Sequence, residues 1–399
     1  MKLIDCGMIH ELPKNKYHRV RTLFTELATY HLFPLAIIEG TAGGRIFTDD
    51  VDHPQRAFIL VDYGEGDIYL TGNSAHADFN HDINVLLHSI FYEERKQGHE
   101  MFTMYWHPDE WETHFDTILA RLNPMRYSRR YHASPTLKCD WQSKLKTGFQ
   151  VVQMDSWFFS QLGVTNMDVL KDWIQYEHRT QNTVDGIHGY CVIDQTENAA
   201  VAWCQIDYVS GTRTEIGIQT AENYRKQGWG TIVAAATVEF LVSKGFDEIG
   251  WHSWAHNIAS GKTAEKVGLE LVLDHPVYVG MLNQFENMMV QADYFASDAI
   301  CQDTQQAYLC LENAIKMAEE HHADYVNFPD VVSGKLNLQK VYYKAAVMCV
   351  TLEKTDCVFE YLRKAIDVGF TDVDSLKTDQ HFSHLHPTNM WKTLLSWFD

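Results

Sequence analysis

The sequence predicts an α/β (α+β) protein, with two tandem mixed sheets flanked by helices and then a small all-α helical-hairpin domain. Strand-like and helix-like segments alternate through about the first 290 residues. From about residue 295 onward the apolar spacing is helical only. A polar, irregular stretch at 136–150 separates the two mixed segments. We therefore expect three domains, at residues 1–138, 139–290 and 295–399.

Composition indicates a globular protein with an acidic surface. The chain has 399 residues, of which 45% are hydrophobic, enough to fill sizeable cores. Asp and Glu outnumber Lys and Arg by 53 to 33, which gives a formal net charge of −20. A field of that sign repels nucleic acid and anionic membranes and attracts cations. We expect no nucleic-acid or membrane partner, although a local basic pocket could still hold an anionic cofactor.

The cysteines and the N-terminus indicate a reducing compartment. The 8 cysteines are scattered without a C-x-x-C pair, which favours reduced thiols over a disulfide framework or a structural zinc site. The N-terminal sequence "MKLIDCGMIHELPKN" has no long apolar run, so we expect no signal peptide. No stretch of about 18 apolar residues occurs that could span a membrane. These features predict a cytoplasmic protein.

The sequence predicts no metal site. The segment "HFSHLHP" holds His381, His384 and His386, but it lies in a loop-like tail without helical or C-x-x-C framing. We interpret it as a solvated turn. The common hydrolase signatures G-x-S-x-G and H-E-x-x-H are also absent from the sequence.

The first mixed segment opens with a predicted helix. Val20, Phe24, Leu27 and His31 recur at helical spacing, and Pro34 is expected to end that helix. Strand-like pieces follow in "GRIFTDD", "RAFILVDYG" and "DIYLTGN". A long helix, a strand and a further helix are then predicted in "FNHDINVLLHSIFYEERKQG", "EMFTMYW" and "PDEWETHFDTILARL".

The second mixed segment has a similar succession of elements. A strand, "FQVVQMD", precedes two short helices across 155–178, and three strands follow in "GIHGYCVID", "AAVAWCQIDYVSG" and "RTEIGIQT". A long helix is predicted at 228–244, where Gly245 stops it. A strand, a short helix and a last extended segment complete the unit in "DEIGWHSW", "NIASGKTAEKVG" and "LELVLDHPVYVG".

The C-terminal segment contains three predicted helices. These lie in "TQQAYLCLENAIKMAEEHH", "LQKVYYKAAVMCVTLEKT" and "DCVFEYLRKAIDVGF". The second and third are separated by a tight polar turn, and the pair resembles a tetratricopeptide unit, an antiparallel helical hairpin. A lone repeat cannot bury its own apolar face. We therefore expect this hairpin to pack against the preceding domain, and it could also bind a protein partner.

The stretch "YRKQGWGT" places Gly228 and Gly230 at the start of the helix predicted at 228–244. Glycine disfavours helix by about 1 kcal/mol per residue, so two glycines here indicate that the backbone must approach a ligand closely. The backbone amides from Gln227 to Thr231 lie at a helix N-terminus, where the helix dipole favours an anion such as a phosphate. Arg225 and Lys226 add positive charge.

Three phosphate-binding motifs compete for this turn. A P-loop requires Gly-Lys followed by Ser or Thr, which does not occur. A dinucleotide fingerprint requires G-x-G-x-x-G in an early βαβ unit, whereas three consecutive strands with short turns precede this helix. The third motif is R-x-x-G-x-G between a strand and a long helix, followed by a strand and a helix with "N-x-x-S". This motif fits all of the pieces.

The order of elements and the R-x-x-G-x-G turn over residues 146–282 resemble the GNAT superfamily of acetyl-coenzyme A-dependent N-acetyltransferases. The segments "IEGTAGGRIFTDD" and "YLTGNSAHADFN" extend the likeness to residues 1–290, in the branch that includes zwittermicin A resistance acetyltransferases. The first segment repeats the succession of elements without the R-x-x-G-x-G turn. We therefore expect two tandem GNAT-like halves, the first degenerate and free of cofactor.

The resemblance implies how acetyl-coenzyme A would bind. The backbone of Ile218, Gln219 and Thr220 would hold the pantetheine arm like an added strand. The turn would hold the pyrophosphate through Arg225, Lys226, Gln227, Gly228, Trp229, Gly230 and Thr231. Asn257 and Ser260 match the family's "N-x-x-S" helix, in which the Asn usually faces the pantetheine arm. The alternative for Asn257 is a helix N-cap.

The resemblance also implies direct attack of an amine on the thioester in a ternary complex. A backbone N–H at Thr220 or its neighbour would polarise the carbonyl, and Glu215 is a candidate base, the alternative being a merely solvated carboxylate. The family often supplies a tyrosine acid where this sequence has Ala264. Either the thiolate leaves unassisted, or Tyr278, His252 or His256 donates the proton.

The acidic composition favours a cationic small-molecule acceptor, such as an amino-bearing antibiotic, a polyamine or a peptide amine. The antibiotic follows from the family branch alone. A second hypothesis is a non-catalytic scaffold that binds acetyl-coenzyme A and uses its helical tail to bind a protein. Loss of the tyrosine at Ala264 favours the scaffold, and the intact glycine turn favours the enzyme.

Overall fold

The computed structural model describes residues 7–61, 66–134, 137–161, 163–176, 183–297, 302–320 and 338–398. The chain divides into two compact units. Unit 1 comprises Met1–Phe91, Met101–Arg121 and Met125–Val279, and unit 2 comprises Tyr92–Glu100, Leu122–Pro124 and Gly280–Asp399. Most of both predicted mixed segments therefore lies in unit 1, while residues 92–100, 122–124 and 280–290 of them belong to unit 2. The boundary between residues 138 and 139 stays a prediction.

The strands form one twelve-stranded mixed sheet in the order β1-β2-β3-β4-β5-β12-β6-β11-β10-β9-β8-β7. The two sheets expected from the sequence are thus joined into one. The strands are β1 (His10–Glu11), β2 (Gly44–Thr48), β3 (Arg56–Val61), β4 (Asp67–Gly72), β5 (Met101–His107), β6 (Met125–Ala133), β7 (Phe149–Gln153), β8 (Gly189–Asp194), β9 (Ala199–Ser210), β10 (Arg213–Thr220), β11 (Glu248–Trp254) and β12 (Glu270–Met281).

In the described part of unit 1 and its connections, seven α-helices lie between the strands of this sheet in the chain. They are α1 (Phe33–Ile38), α2 (Ala77–Lys96), α3 (Phe115–Ile118), α4 (Ser156–Phe159), α5 (Met167–Tyr176), α6 (Trp229–Ser243) and α7 (Ile258–Val267). The helix expected through His31 is wrong, since 3₁₀ helices occupy Lys14–Val20 and Leu27–Thr29. Pro34 lies in the first turn of α1, where its missing N–H costs no hydrogen bond. Of the two helices expected across 155–178, positions 162, 177 and 178 lie outside the described residues.

The same succession of elements occurs twice in unit 1. Strands β2, β3 and β4 are antiparallel neighbours, and α2 connects β4 to the parallel strand β5. Strands β7 to β10 are likewise antiparallel neighbours, and α6 connects β10 to the parallel strand β11. Parallel neighbours require such a crossover helix. The mixed sheet and its helices therefore agree with the predicted fold class.

The two halves exchange their last strands. Strand β6 ends the first half, yet it pairs antiparallel with both β11 and β12 of the second half. Strand β12 ends the second half and lies between β5 and β6 in the sheet. Each half therefore completes the hydrogen-bonding edge of the other, which joins them in one folding unit.

Helix α6 is buried on nearly every side. Its sequence "WGTIVAAATVEFLVS" contains a single charged residue, Glu239, which is exposed. Trp229, Ile232, Val233 and Leu241 pack in one core with Ile206 of β9 and with side chains of the neighbouring strands. A helix that is apolar all round is expected inside a protein. This burial fixes the position of the helix N-terminus at Trp229.

Unit 2 is helical and has its own core. Its helices are α8 (Gln284–Ser297), α9 (Thr304–Glu320), α10 (Leu338–Thr351), α11 (Thr355–Asp367), α12 (Val373–Thr378) and α13 (Asn389–Leu395). The core contains Leu311 of α9, Ala345 of α10 and Leu362 of α11, together with Trp391 of α13. The predicted hairpin α10–α11 is present within a larger helical unit than the sequence suggested. Its likeness to a tetratricopeptide unit and its protein partner stay predictions.

Among the described residues, no helix is both long enough and apolar enough to cross a membrane. The histidines of "HFSHLHP" do not form a metal-ligating group within that part of the chain, and His381 pairs through Nδ1 with Asp379 at 2.7 Å.

Strand exchange predicts that the second half cannot fold alone. Residues 139–399 expressed without residues 1–138 would leave the edges of β11 and β12 unpaired, and such edges promote aggregation. We expect this fragment to be insoluble or to lack a cooperative thermal transition by circular dichroism. Co-expression with residues 1–138 should restore a soluble complex. A cooperative transition of 139–399 alone, at a temperature close to that of the intact chain, would contradict the exchange.

Candidate active site

The site forms where β10 and β11 part. The two strands pair at only three positions, Arg213↔Glu248, Thr214↔Ile249 and Glu215↔Gly250. Beyond these, β10 continues beside β9 while β11 continues beside β6. The β9–β10 register shifts between Glu215 and Ile216, so that Asp207 of β9 has no counterpart. Such a bulge increases local twist, and it leaves one edge of residues 216–220 without a neighbouring strand.

A cavity of about 190 Å³ lies at this opening. It is lined by Arg129, Trp173, Asp207, Glu215, Ile216, Gly217, Ile218, Trp251, His252 and Ser260. The predicted base Glu215 and the predicted cofactor residues Ile218 and Ser260 therefore meet at one place. Two carboxylates, from Glu215 and Asp207, give the cavity wall a negative side.

Glu215 is buried and held from the first half of the chain. Its side chain is 9% exposed. Its Oε1 accepts a hydrogen bond from the backbone N–H of Leu32 at 2.7 Å and lies 3.7 Å from Nε2 of His252. Within the described part of the chain, Oε2 has no hydrogen-bond partner, so one oxygen of the carboxylate is available in the cavity. The interpretation of Glu215 as a solvated surface carboxylate is wrong.

Gly250 makes room for this carboxylate. A β-carbon at position 250 would lie 2.7 Å from the ring and from the hydroxyl of Tyr131, and 3.1 Å from Cγ of Glu215. The Tyr131 hydroxyl donates to Oε1 of Glu248 at 3.0 Å. Burial, together with Glu215 and Glu248, raises the pKa of Tyr131 well above its usual value, so the phenol stays protonated. Strand β11 thus has a glycine at the position where the side chains of Tyr131 and Glu215 pack against its backbone.

The glycine turn has the backbone that the sequence predicts. Gly228 is the N-cap of α6 and has a φ of 91°, which is unfavourable for other residues. A β-carbon at Gly230 would lie 3.3 Å from Oγ1 of Thr220 and 3.5 Å from Cδ1 of Ile218. Glycine at 230 therefore keeps the gap between the helix start and the edge of β10 open.

The amides at the start of α6 are uncapped. No side chain caps the helix, and no described residue accepts a hydrogen bond from the N–H groups at 227–230. The amide of Thr231 differs from the others, because it donates to the carbonyl oxygen of Gly228 at 3.1 Å. Four successive N–H groups at a helix N-terminus form a natural anion-binding surface.

The basic residues of the turn lie at the surface. Arg225, Lys226 and Gln227 are exposed, and Arg225 donates through Nε to the carbonyl oxygen of Thr220 at 3.3 Å. Lys226 has a φ of 61°. Trp229 is buried, and its ring stacks on Phe149 with centroids 4.2 Å apart. Trp229 therefore anchors the helix start through its ring, and its backbone N–H remains uncapped.

Asn257 is a helix N-cap. Its Oδ1 accepts a hydrogen bond from the N–H of Ser260 at 3.1 Å, at the start of α7. Of the two interpretations made from the sequence, the structure shows the N-cap. Ser260 lines the cavity, and its Oγ accepts from Nε1 of Trp251 at 3.0 Å. The "N-x-x-S" motif thus orients a serine and a tryptophan at the cavity wall.

The candidates for the acid are separated by the structure. Ala264 is fully buried in the core beside α6. The Tyr278 hydroxyl donates to Oε1 of Glu112 at 3.2 Å, and Tyr278 is not among the residues that line the cavity. His256 is exposed, with its ring against Trp254. The prediction of Tyr278 as a catalytic residue therefore has no support from its position, and His252 alone of the candidates reaches the cavity.

Sequence reasoning missed several residues of this site. Asp207 and Arg129 reach the cavity from β9 and β6, and the Arg129 guanidinium donates through Nη1 to the Tyr105 hydroxyl at 2.6 Å. His31 and His275 lie beside His252, with ring centroids 4.5 Å and 5.6 Å from it. The sequence carried a signal for Asp207, a single charge in the apolar strand "AAVAWCQIDYVSG". It carried none for Arg129, because strand exchange brings β6 here.

This combination of sheet, helix N-terminus and buried carboxylate is that of an acyltransferase. The family model described as GNAT acetyltransferase matches residues 21–278, more than half of the chain, and the protein belongs to this family of N-acetyltransferases. The likeness stated from the glycine turn is thereby confirmed at the level of the family. The same assignment does not favour the non-catalytic scaffold.

The chain is similar to a sequence relative and to several solved structures. The chain is 25% identical over 273 residues to the uncharacterized N-acetyltransferase YdfB of Bacillus subtilis (strain 168), a match that covers 68% of this chain and 98% of that protein. A GCN5-related N-acetyltransferase-like protein from Streptococcus suis has 20% identity and a TM-score of 0.47, covering 67% of this chain and 98% of its own. A tandem GNAT protein from the clavulanic acid biosynthesis pathway has 9% identity and a TM-score of 0.47, covering 69% and 98%.

Replacing Gly250 by alanine should displace Glu215 and Tyr131. Alanine is better than glycine in a strand by about 0.5–1 kcal/mol, yet the contacts at this position should make Gly250→Ala destabilising by about 1–3 kcal/mol. Urea unfolding followed by tryptophan fluorescence measures the change. The loss should be smaller in a Tyr131→Leu background, because the shorter side chain vacates the space. Equal losses in both backgrounds would show that Tyr131 is not the obstacle.

Proposed function

We propose that this protein transfers the acetyl group of acetyl-coenzyme A to the amine of a cationic small molecule, by direct attack in a ternary complex. One observation carries the proposal: uncapped amides at 227–230 lie at one end of the open edge of β10, and Glu215 lies at the other end beside a cavity. A diphosphate, an extended arm and a thioester could occupy these positions in that order.

The start of α6 is suited to the pyrophosphate of coenzyme A. Four N–H groups without described acceptors point from residues 227–230, and the helix dipole adds about half a positive charge. Arg225 and Lys226 supply exposed cations in a chain whose net charge is −20. These two cations add positive potential at the place where the anion would bind.

The open edge of β10 is suited to the pantetheine arm. Residues 216–220 are paired with β9 on one side only. An amide-containing chain can add to such an edge as an extra strand. Ile218, Gln219 and Thr220 would then contact the arm. Thr220 lies beside Gly230, at the diphosphate end, so the backbone N–H that polarises the thioester carbonyl would come from the Glu215 end of this edge and not from Thr220. The small distance between Thr220 and Gly230 brings the two parts of the proposed cofactor site together.

Glu215 and Asp207 are suited to a cationic amine. Both are buried and both line the cavity. A carboxylate there attracts an ammonium group and can accept a proton from it. The guanidinium of Arg129 lies on the same cavity wall, and its positive charge offsets the repulsion between the two carboxylates. A positively charged acceptor of modest size fits this arrangement.

The reaction balances without an acyl-enzyme. The ammonium group of the acceptor gives one proton to Glu215, and the neutral nitrogen attacks the thioester carbonyl. As the carbon–sulfur bond breaks, the nitrogen releases its second proton to solvent and becomes the amide. Coenzyme A leaves as a thiolate that takes its proton from solvent, since Ala264 offers no acid. No cysteine is among the residues that line the cavity. Cys191 and Cys204 are fully buried, and burial raises the pKa of both thiols far above its usual value, so neither is a nucleophile.

The first half of the chain is proposed to hold no cofactor. Strands β4 and β5 occupy the places that β10 and β11 occupy in the second half. They stay paired over five positions, from Asp67↔Thr103 to Thr71↔His107, whereas β10 and β11 pair over three. The segment before α2, "NSAHA", has no glycine turn. Without an open edge or a phosphate turn, this half serves the second one by supplying β6 and the Leu32 amide.

The acceptor class is proposed from charge and from the zwittermicin A resistance-like branch. An amino-bearing antibiotic combines a cationic amine with a polar body that a cavity between the two halves could accommodate. Thiol release from acetyl-coenzyme A over a panel of amino-antibiotics, polyamines and peptide amines tests it. Thermal stabilisation by acetyl-coenzyme A without release on any amine would contradict transfer but not donor binding.

Gly230→Ala should weaken the binding of acetyl-coenzyme A without unfolding the protein. The new methyl would narrow the gap to Thr220 and Ile218, while alanine at the helix start favours the helix by up to about 1 kcal/mol. We expect the KM for acetyl-coenzyme A to rise at least about tenfold, equivalent to about 1.4 kcal/mol, with unchanged or higher thermal stability. The measurement is initial-rate kinetics with the donor varied.

Gly261→Ala is the matched control for this variant. Gly261 lies in the first turns of α7, and a β-carbon there would meet only ordinary contacts, at 3.7 Å from His132. Its donor KM should stay near that of the unsubstituted protein. An unchanged KM in Gly230→Ala would overturn the assignment of the turn.

Glu215→Gln should abolish most of the transfer. Glutamine can still accept the Leu32 N–H bond, but it cannot take a proton at neutral pH. We expect kcat/KM for the amine to fall by about 10²–10⁴, the usual contribution of a general base. Glu248→Gln is the control, because Glu248 accepts from Tyr131 and Arg213 and does not line the cavity. A rate for Glu215→Gln equal to that control would remove Glu215 from the chemistry.

A further inference from the structure

Three histidines from distant parts of unit 1 converge behind the Glu215 cavity. His31 precedes α1, His252 lies on β11 and His275 lies on β12. The rings of His31 and His252 stack at 4.5 Å, and His275 meets His31 edge-on at 4.8 Å. One nitrogen of each ring lies within 4.8 Å of the others, and within the described ranges this is the single group of three metal-ligating side chains.

Each histidine has a buried nitrogen that no described group satisfies. These atoms are Nε2 of His31, Nδ1 of His252 and Nε2 of His275. The residues His31 and His275 are 4% and 5% exposed. An unsatisfied buried polar atom is costly, and three of them in one place need an explanation. A shared ligand that accepts three lone pairs would satisfy all of them.

The opposite nitrogens of two rings are already held by carbonyl oxygens. Nε2 of His252 lies 2.7 Å from the carbonyl oxygen of Tyr30, and Nδ1 of His275 lies 3.4 Å from that of Pro276. A proton on each of these nitrogens donates to the carbonyl and leaves a lone pair on the other nitrogen. Metal-binding histidines commonly have this arrangement, which fixes both tautomer and ring orientation.

The surroundings keep the imidazoles of His31 and His275 neutral, as ligation requires. Burial lowers the pKa of His275 to about 3, with further lowering from His252 and Arg129. Burial likewise lowers the pKa of His31 well below its usual value, with further lowering from His252, His275 and Arg129. Arg129 opposes a cation, and the nearby carboxylate of Glu215, 3.7 Å from Nε2 of His252, offsets it.

We propose that His31, His252 and His275 bind a divalent transition-metal ion, with zinc as the natural occupant. Three neutral imidazoles with an open fourth position form a known zinc ligand set. Zinc–nitrogen distances of about 2.0–2.1 Å in a tetrahedron place the nitrogens about 3.3 Å apart, so the imidazoles must draw together by up to about 1.5 Å. The stacked rings of His31 and His252, which are 9° from parallel, must also rotate so that both lone pairs face the ion. A second cavity, of about 330 Å³, is lined by Tyr30, Tyr105 and His275 and gives the ion a path to the group.

A metal at this site would link the two halves of the chain next to Glu215. His31 comes from the first half, while His252 and His275 come from the second. Leu32, the next residue after His31, donates its N–H to Glu215. A bound metal would therefore fix the backbone that holds Glu215, as a structural ion beside the reaction and independent of whether acetyl transfer is the activity.

The test uses the full chain without a polyhistidine tag. We expect about one equivalent of zinc per chain by elemental analysis after purification. After chelation, Co²⁺ should restore one equivalent and give the intense visible absorption of four-coordinate cobalt with nitrogen ligands. X-ray absorption of the zinc form should show three imidazoles. A chain that retains no zinc and binds no Co²⁺ would overturn the proposal.

Variants separate this site from other histidines. His275→Gln and His31→Gln should each weaken Co²⁺ binding by roughly 10–100-fold or more. That range is the usual cost of losing only a hydrogen-bond partner of a metal ligand, and losing the ligand itself should cost at least as much. His132→Gln is the matched control, because His132 is also buried on the sheet with an unpartnered Nδ1 but lies outside the group. A triple His381→Gln, His384→Gln, His386→Gln variant controls for the tail. The proposal would also be overturned if either control lost the cobalt spectrum while His275→Gln kept it.

Discussion

The parting of β10 and β11 after three paired residues is the constraint on which the site depends. Parallel strands normally satisfy each other's backbone groups, so a gap between them leaves two edges open. Here β9 and β6 pair with the outer edges of β10 and β11, and the edges that face the gap have no strand partner among the described residues. The bulge opposite Glu215 turns β10 away, and the gap exposes an edge that begins at Glu215 and ends beside Gly230. The distance between Glu215 and the uncapped amides at 227–230 is thus set by the length of one strand end.

Strand exchange explains why a half without a cofactor turn is retained. The second half alone lacks the strand between β11 and β12, and β6 supplies both that strand and Arg129 of the cavity wall. The first half also supplies the Leu32 amide to Glu215 and His31 to the histidine group. Its contribution is therefore to positioning as well as to stability, and substitutions remote in sequence from the glycine turn can alter the geometry of the base.

The sequence predicted the features that depend on local chemistry. Most of the element succession, helix α6 and the row of amides at Gly228 follow from apolar periodicity and glycine placement, and these are observed. The helix expected through His31 is replaced by 3₁₀ helices, and strand β6 was not predicted. It failed where partners are distant in sequence. The joining of two sheets into one, the carbonyl that holds His252 and the partner of Tyr278 each depend on pairing between the halves. His31 looked like one residue of an apolar helical stripe, because its neighbours in space come from β11 and β12.

Glu215 and the histidine group are linked through three successive residues. The backbone from Tyr30 to Leu32 gives a carbonyl to His252, a ring to the group and an amide to Glu215. All three contacts reach across to the second half, so this short segment cannot move at one of them without straining the others. These contacts together fix the backbone that holds the Glu215 carboxylate beside the cavity, so the first half of the chain determines where that carboxylate lies.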